Sequence, residues 1–171
     1  MEVIKLAPIA AATMMLAACG GEKAAPAKEE APAKPVAGLY ELTSEVTLLE
    51  STDKSTPATK LAKGEKSVIK ACVTDKGVPA PELLAEEGDK CEIKNSYVNY
   101  GRISAQMSCS RSGRSGYVMP AMIGSFKADS FDGNINTLTY FVENGDYRME
   151  RKVSAKRIGD CPAGGAAEKA G

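Results

Sequence analysis

The chain has 171 residues, 43% hydrophobic and 26% charged, which suits one globular domain with some chain left over for tails. Lysine plus arginine (22) equals aspartate plus glutamate (22), so the charge gives no case for binding nucleic acid or an acidic membrane surface. Histidine is absent, which excludes Ser-His-Asp and Cys-His nucleophile arrangements and removes the commonest transition-metal ligand.

Met1 to Lys5 is short and carries one lysine, and Leu6 to Ala18 (LAPIAAATMMLAA) is almost purely apolar. That length suits the apolar region of a signal peptide, whereas a membrane span needs ~20 such residues. A buried N-terminal helix is the alternative reading. Pro8 and the low-complexity stretch that follows argue against it.

Leu16-Ala17-Ala18-Cys19 resembles the lipobox of bacterial lipoproteins. The resemblance implies that the Cys19 thiol takes a diacylglyceryl group, that residues 1–18 are cut away, and that the new amine is acylated, with palmitate a typical chain. Several acyl chains anchor a protein stably where one is marginal. Gly20, rather than an aspartate, follows Cys19. By resemblance to enterobacterial sorting rules this implies the outer membrane, with the domain facing the periplasm. Ordinary cleavage after Ala18 is the alternative.

Residues 19–36 then read as a lipidated cysteine and a tether. Gly20 to Val36 (GGEKAAPAKEEAPAKPV) balances lysine against glutamate and lacks the large apolar residues that offset ordering entropy. The tail 162–171 is equally small and polar, so the folded domain is expected over 37–161.

Inside that window the hydrophobic period is two. Tyr40, Leu42, Val46 and Leu48 fall on one face of a first strand, and Ile103, Ala105, Met107 and Cys109 on one face of another. Further strands are predicted over Lys66–Val73, Glu92–Asn99, Ile123–Asp129, Ile135–Glu143 and Asp146–Ile158. Pro120 is expected to keep the residues before Met122 out of a central strand. Asn144-Gly145 and Asp132-Gly133 read as two-residue hairpin turns, with Tyr100-Gly101 a weaker third. Pro81 to Glu87 is the one good helix candidate, with proline in its first turn and Gly88 as a stop. The fold class is therefore mainly β: an antiparallel meander of about seven strands, an open curled sheet or a partly closed barrel, with one short helix.

With Cys19 set aside, Cys72, Cys91, Cys109 and Cys161 remain, an even number in an exported chain, and two disulfides follow. The spacings contain no CxxC knuckle, and an oxidising compartment disfavours a zinc site. Cys91 and Cys109 flank the turn near Tyr100-Gly101 and so fall opposite one another. If the segment between Cys72 and Cys91 crosses the sheet, counting strand reversals returns Cys161 to the end that holds Cys72. The pairing is then Cys91–Cys109 with Cys72–Cys161, and the longer loop contributes roughly 4 kcal/mol by chain entropy. Cys72–Cys91 with Cys109–Cys161 is the alternative.

Gly38-Leu39-Tyr40-Glu41, Ala71-Cys72-Val73-Thr74 before a Pro/Glu/Leu helix, Cys91, a hairpin, Cys109, and a closing Arg157-Ile158-Gly159-Asp160-Cys161 form an ordered set. In this order the chain resembles domain-of-unknown-function family 3617, small exported proteins of proteobacteria, over about residues 38 to 161. Tyr40 stands where the family usually has tryptophan. The family carries no assigned activity, so the resemblance implies a periplasm-facing, disulfide-bearing β domain and no catalytic residue.

No catalytic residue, cofactor or metal ligand is assigned from the sequence. Glu29-Glu30 falls in the tether, and Glu86-Glu87 reads as solvated charge near a helix end. Arg111 to Gly116 reads as a solvated polar loop, with a small anion site as the alternative, and the basic residues between Arg148 and Arg157 as a wet sheet face. The first expectation is a non-catalytic module that binds a small apolar ligand or docks an envelope protein. Met107, Met119, Met122, Phe126, Phe131, Tyr140, Phe141 and Met149 are candidates for its concave face, with plain core the favoured alternative for most of them. A structural or stress-related lipoprotein without a small ligand is the alternative, and an enzyme ranks last. The expected partners are the membrane, through the anchor, and such a ligand or protein, but not nucleic acid.

Overall fold

A computed structural model describes residues 33–162 and the backbone of Glu168–Lys169. The leader, Cys19 and most of the tether lie outside the described residues. The strands are β1 (Gly38–Ser51), β2 (Lys66–Val73), β3 (Asp89–Asn99), β4 (Arg102–Arg111), β5 (Gly116–Phe126), β6 (Ser130–Phe141), β7 (Tyr147–Gly159) and the two-residue β8 (Glu168–Lys169). Among the described residues there is one helix, α1, over Pro81–Leu84. All strand pairs are antiparallel, in the order β3-β4-β5-β6-β7-β1-β2-β8. Seven long strands form a curled half-barrel sheet, and α1 touches β2 and β3, bridging the gap between its edges.

Alternation drives this architecture. Every second residue of β4 (Ile103, Ala105, Met107, Cys109) is buried while Arg102, Gln106 and Ser110 face water. The inner faces of β1, β2, β4, β5, β6 and β7 join one core with α1, whose Leu83 and Leu84 are fully buried. Burying each such leucine contributes about 1.5–3 kcal/mol. The helix is shorter than the sequence suggests. Ala85 is already extended (φ −77°, ψ 168°), and Glu86 leaves the helix to point inward.

Four local expectations need correction. Thr47 is an extra residue in the β1–β7 ladder, where Val46 opposes Arg151 and Leu48 opposes Glu150. This bulge exchanges the faces, so Leu49, rather than Leu48, packs against the buried Val46, Tyr147 and Met149. Pro120 sits in the interior of β5, opposite Thr137 of β6. It is tolerated because the β4–β5 ladder omits that position, pairing Gln106 with Ala121 and next Cys109 with Val118.

Asp132-Gly133 lies within β6, and the β5–β6 turn is Lys127 to Asp129. Gly133 opposes Gly124 at close approach: a Cβ on Gly124 would sit 2.1 Å from the Asp132 carbonyl oxygen. Here the glycines permit backbone contact, not a turn. Finally, β6 and β7 are joined by Val142 to Asp146, a longer loop than the expected two-residue turn at Asn144-Gly145. Tyr100 (φ 50°) and Gly101 (φ 70°) do form the tight β3–β4 turn.

The Cys91 and Cys109 sulfurs lie within bonding distance across directly opposed positions of β3 and β4, with a Cα–Cα distance of 4.0 Å. Cys72 and Cys161 form the second pair, Cα–Cα 5.8 Å, joining the end of β2 to the residues after β7. The segment from Cys72 to Cys91 crosses the half-barrel by way of α1.

Candidate functional site

The two ends of the sheet differ in chemistry. At one end Gly38, Cys72 and Cys161 meet. The Tyr40 hydroxyl donates to the Val36 carbonyl at 2.8 Å while its buried ring packs on Phe131, centroids 5.7 Å apart. Arg157 donates to the Ala37 carbonyl (3.0 Å) and pairs with Asp160. The Gly38–Tyr40, Cys72 and Arg157–Cys161 segments that carry the family resemblance are thus neighbours in space, and they tie the two chain ends of the domain together.

The opposite end holds a charged cluster. Arg111, at the end of β4, opposes Asp89 in the ladder and donates to both its oxygens, Nε to Oδ1 at 2.7 Å and Nη2 to Oδ2 at 2.8 Å. The same guanidinium lies 3.1 Å from Glu86 and donates to the Tyr147 hydroxyl at 3.0 Å and to the Ala58 carbonyl. Tyr147 donates in turn to Glu86, which also accepts from Thr59 at 2.5 Å. The Asp89 side chain is fully buried and that of Glu86 is 6% exposed. Both are therefore dehydrated anions that need the cation between them.

Titration follows from this packing. Burial, the largest influence on Arg111, disfavours its charge, but hydrogen bonding to Asp89 and the Glu86 carboxylate outweigh it and raise its pKa. Burial also raises the Tyr147 pKa, reinforced by Glu86 and opposed by Arg111. Arg151 of β7 is 2% exposed, and burial lowers its pKa against the fields of Glu86, Tyr147 and Asp89. Its guanidinium donates to the Leu84 and Ala85 carbonyls, and its Nε has no partner among the described residues.

Beside the cluster lies a cleft of about 640 Å³, lined by Thr59, Leu61, Glu86, Arg111 and Arg114 among others. Two sequence expectations are corrected here. Glu86 is not solvated charge but an interior anion, and Arg111 is a strand residue at the centre of a network rather than part of a solvated loop. Likewise Arg151 leaves the wet face on which Arg148, Lys152 and Lys156 remain.

The eight apolar candidates divide between two faces. Met107, Met122, Phe126, Phe131 and Met149 are buried core, and Phe141 is half-buried against it. Met119 and Tyr140 point outward, 47% and 55% exposed. On that outer face Tyr117 opposes Tyr140 and Met119 opposes Leu138, giving a ladder of exposed apolar pairs continued by Val142 and, further along β5, by Ile123. The β4 flank of this ladder is uncharged over Ser104, Gln106, Ser108 and Ser110, while the β7 flank carries Arg148, Glu150 and Lys152. Exposed apolar residues in contiguous rows mark interaction surfaces. Period-two patterning places Tyr117, Met119, Leu138 and Tyr140 outward once β5 is extended through Pro120, and the expected break at that proline concealed it.

No curated protein and no solved structure matches the chain. A family model does, over residues 33–161, three quarters of the chain with all seven long strands and both cysteine pairs. The chain belongs to the family described as Protein of unknown function (DUF3617).

Proposed function

We propose that this protein is a lipid-anchored module of the bacterial envelope, attached through Cys19 and facing the periplasm, most simply from the outer membrane. It works by docking a partner protein rather than by catalysis. The observation that carries this reading is the outward ladder of Tyr117, Tyr140, Met119 and Leu138 beside the uncharged stretch of β4 from Ser104 to Ser110. Tyrosine and methionine with little charge is the composition of interface cores.

The concave side favours a protein partner over a small apolar ligand, because Leu83 and Leu84 of α1 fill it. Non-catalytic action is supported by the charged cluster, where Glu86, Asp89, Arg111 and Tyr147 are engaged with one another. A structural envelope lipoprotein without a docking partner is the reading that remains if this one fails.

The test is photo-crosslinking in the intact envelope, with a benzophenone amino acid at Tyr117 and, as control, at Lys152. An adduct from position 117 that is absent from position 152 supports docking by this face. Equal adducts or none would overturn it. The anchor is tested separately: Cys19→Ala should release the protein from the membrane fraction, and persistent attachment would sink that part of the reading.

A further inference from the structure

The two edges of the open sheet are unlike. The β3 edge is broken, because its pairing with β4 skips a residue between Ile93 and Asn95, and such a bulge blunts an edge against further pairing. The β2 edge is regular: eight consecutive residues, Lys66 to Val73, pair with β1 without a register shift. Beyond β2, among the described residues, Ile69 and Lys70 pair with the chain's own Lys169 and Glu168, Val73 bridges to Pro79 and the Cys72 carbonyl accepts from the Ala80 N–H, which leaves the edge open at Lys66–Val68. A cleft of about 610 Å³ follows Lys66–Ile69, lined also by Leu61 and Ala85 and by Glu41, Glu65, Glu86 and Glu87, of which Glu41 is paired with Lys70, Glu65 with the Ala62 amide and Glu86 with Arg111. Arg151 also lines it and is buried.

We propose that the β2 edge and this cleft form a strand-acceptor site for an extended segment of a partner protein in which apolar and acidic residues alternate. The backbone edge supplies hydrogen bonds and the alternating side chains supply selectivity, as in strand addition generally. The residue types follow from β2 itself. Lys66 and Lys70 stand on its outer face, beside Glu45 and Glu41 of β1, so the matching positions of an added antiparallel strand favour carboxylates. Ile69 joins the core from the inner face, so the positions between favour apolar side chains.

The chain's own tail follows the same rule at the one position where it is seen, with Glu168 at the register position opposite Lys70. It is a weak occupant: two paired residues among those described, flanked in sequence by alanines poor in β-propensity, put it at the low-stability end of the structure. This edge is separate from the β5–β6 outer face, so the two can be tested independently.

The experiment is hydrogen exchange read by mass spectrometry on the exported Cys19→Ser chain and on the same chain ended at Pro162. The shorter chain retains the seven long strands, the whole core and both cysteine pairs. The probe is a synthetic ten-residue peptide alternating valine and glutamate. Its controls alternate valine and lysine, or place a proline at the centre. At ten times its Kd the glutamate peptide should slow exchange over residues 66–70 about tenfold. It should bind the shortened chain more tightly than the full one, because the tail competes. Either control slowing those residues equally, no protection of 66–70 in the shortened chain, or protection on β3 or the β5–β6 face instead would overturn the proposal.

Discussion

Asp89 and Arg111 stand directly opposite one another in the β3–β4 ladder and share two hydrogen bonds of 2.7 and 2.8 Å. Arg111 also faces Glu86, so its loss leaves two buried carboxylates without their cation. Arg111→Ala should therefore destabilise the domain by about 3–5 kcal/mol, the range for breaking a buried pair from one side. Combining it with Asp89→Ala should cost less than the sum of the two single changes, because one uncompensated charge is removed. Urea unfolding of the three variants measures this, and additive costs would show that the pair is not coupled.

Tyr147 gives the cluster an alkaline limit. Its folded pKa is raised, by burial first and by Glu86 second, so below the ordinary phenol pKa both folded and unfolded states keep the proton. Above about pH 10 the unfolded chain releases it and the folded chain does not, so stability must fall as pH rises. Tyr147→Phe should flatten that alkaline slope while costing about 1–3 kcal/mol near neutrality, since Glu86 loses a donor. Thermal melts between pH 8 and 11 would show it. An unchanged slope in the variant would assign the alkaline loss elsewhere.

The strand content was legible because one wet face imposes a period of two, whereas counting strand directions left two cysteine pairings open, since it decides between them only once the segment from Cys72 to Cys91 is known to cross the sheet. What was hidden depends on contacts between distant residues. Thr47 is an ordinary outward strand residue until β7 is laid beside it, where its hydroxyl donates to the Glu150 carbonyl at 3.1 Å and the bulge turns Leu48 out. Pro120 argues against a strand unless the neighbouring ladder is known to skip it. The charged cluster was the least legible. Glu86, Asp89, Arg111 and Tyr147 come from three regions of the chain, and each alone looks like solvated charge or plain core. Only curvature, which brings the α1–β3 connection against the ends of β4 and β7, makes them one network.

Gly124 and Gly133 should tolerate no side chain. A Cβ at Gly133 would lie 2.4 Å from the Ile123 carbonyl oxygen, a clash with backbone that no side-chain rotation relieves. Gly133→Ala is expected to cost about 1–3 kcal/mol, as overpacking does. Gly159→Ala is the control, since nothing lies within 4 Å of a Cβ there and its φ is not positive. Equal melting temperatures for the two variants would mean that β5 and β6 separate locally at little cost.

The two cysteine pairs should differ in effect. Cys72 and Cys161 are 89 residues apart and Cys91 and Cys109 are 18 apart, so chain entropy assigns roughly 4 and roughly 3 kcal/mol to the two links. Replacing Cys72 and Cys161 by serine should lower stability more, and should also loosen the chain after β7. Denaturant unfolding of the paired double mutants tests the order. The reverse order would mean that packing around Cys91 and Cys109 matters more than loop length.

Asp53 holds the β6–β7 loop from outside the ladder. Its carboxylate accepts from the amides of Gly145 (2.7 Å), Asp146 (3.0 Å) and Ser55 (2.9 Å) and from the Ser55 hydroxyl (2.6 Å). These bonds, with the Ser55 hydroxyl foremost and the Gly145 amide next, hold its pKa well below the usual carboxylate range. A depressed folded pKa contributes stability that is present above the unfolded value near 3.9 and is lost as pH falls toward the folded one. The Gly145 and Asp146 amides should therefore keep their protection from neutral pH down to about 4, and lose it progressively only on further acidification. In Asp53→Ala both amides should exchange faster at neutral pH and show no acid step of this origin. Amide exchange from pH 6 to pH 2, corrected for intrinsic rates, makes the comparison, and an identical acid step in the variant would place the titrating group elsewhere.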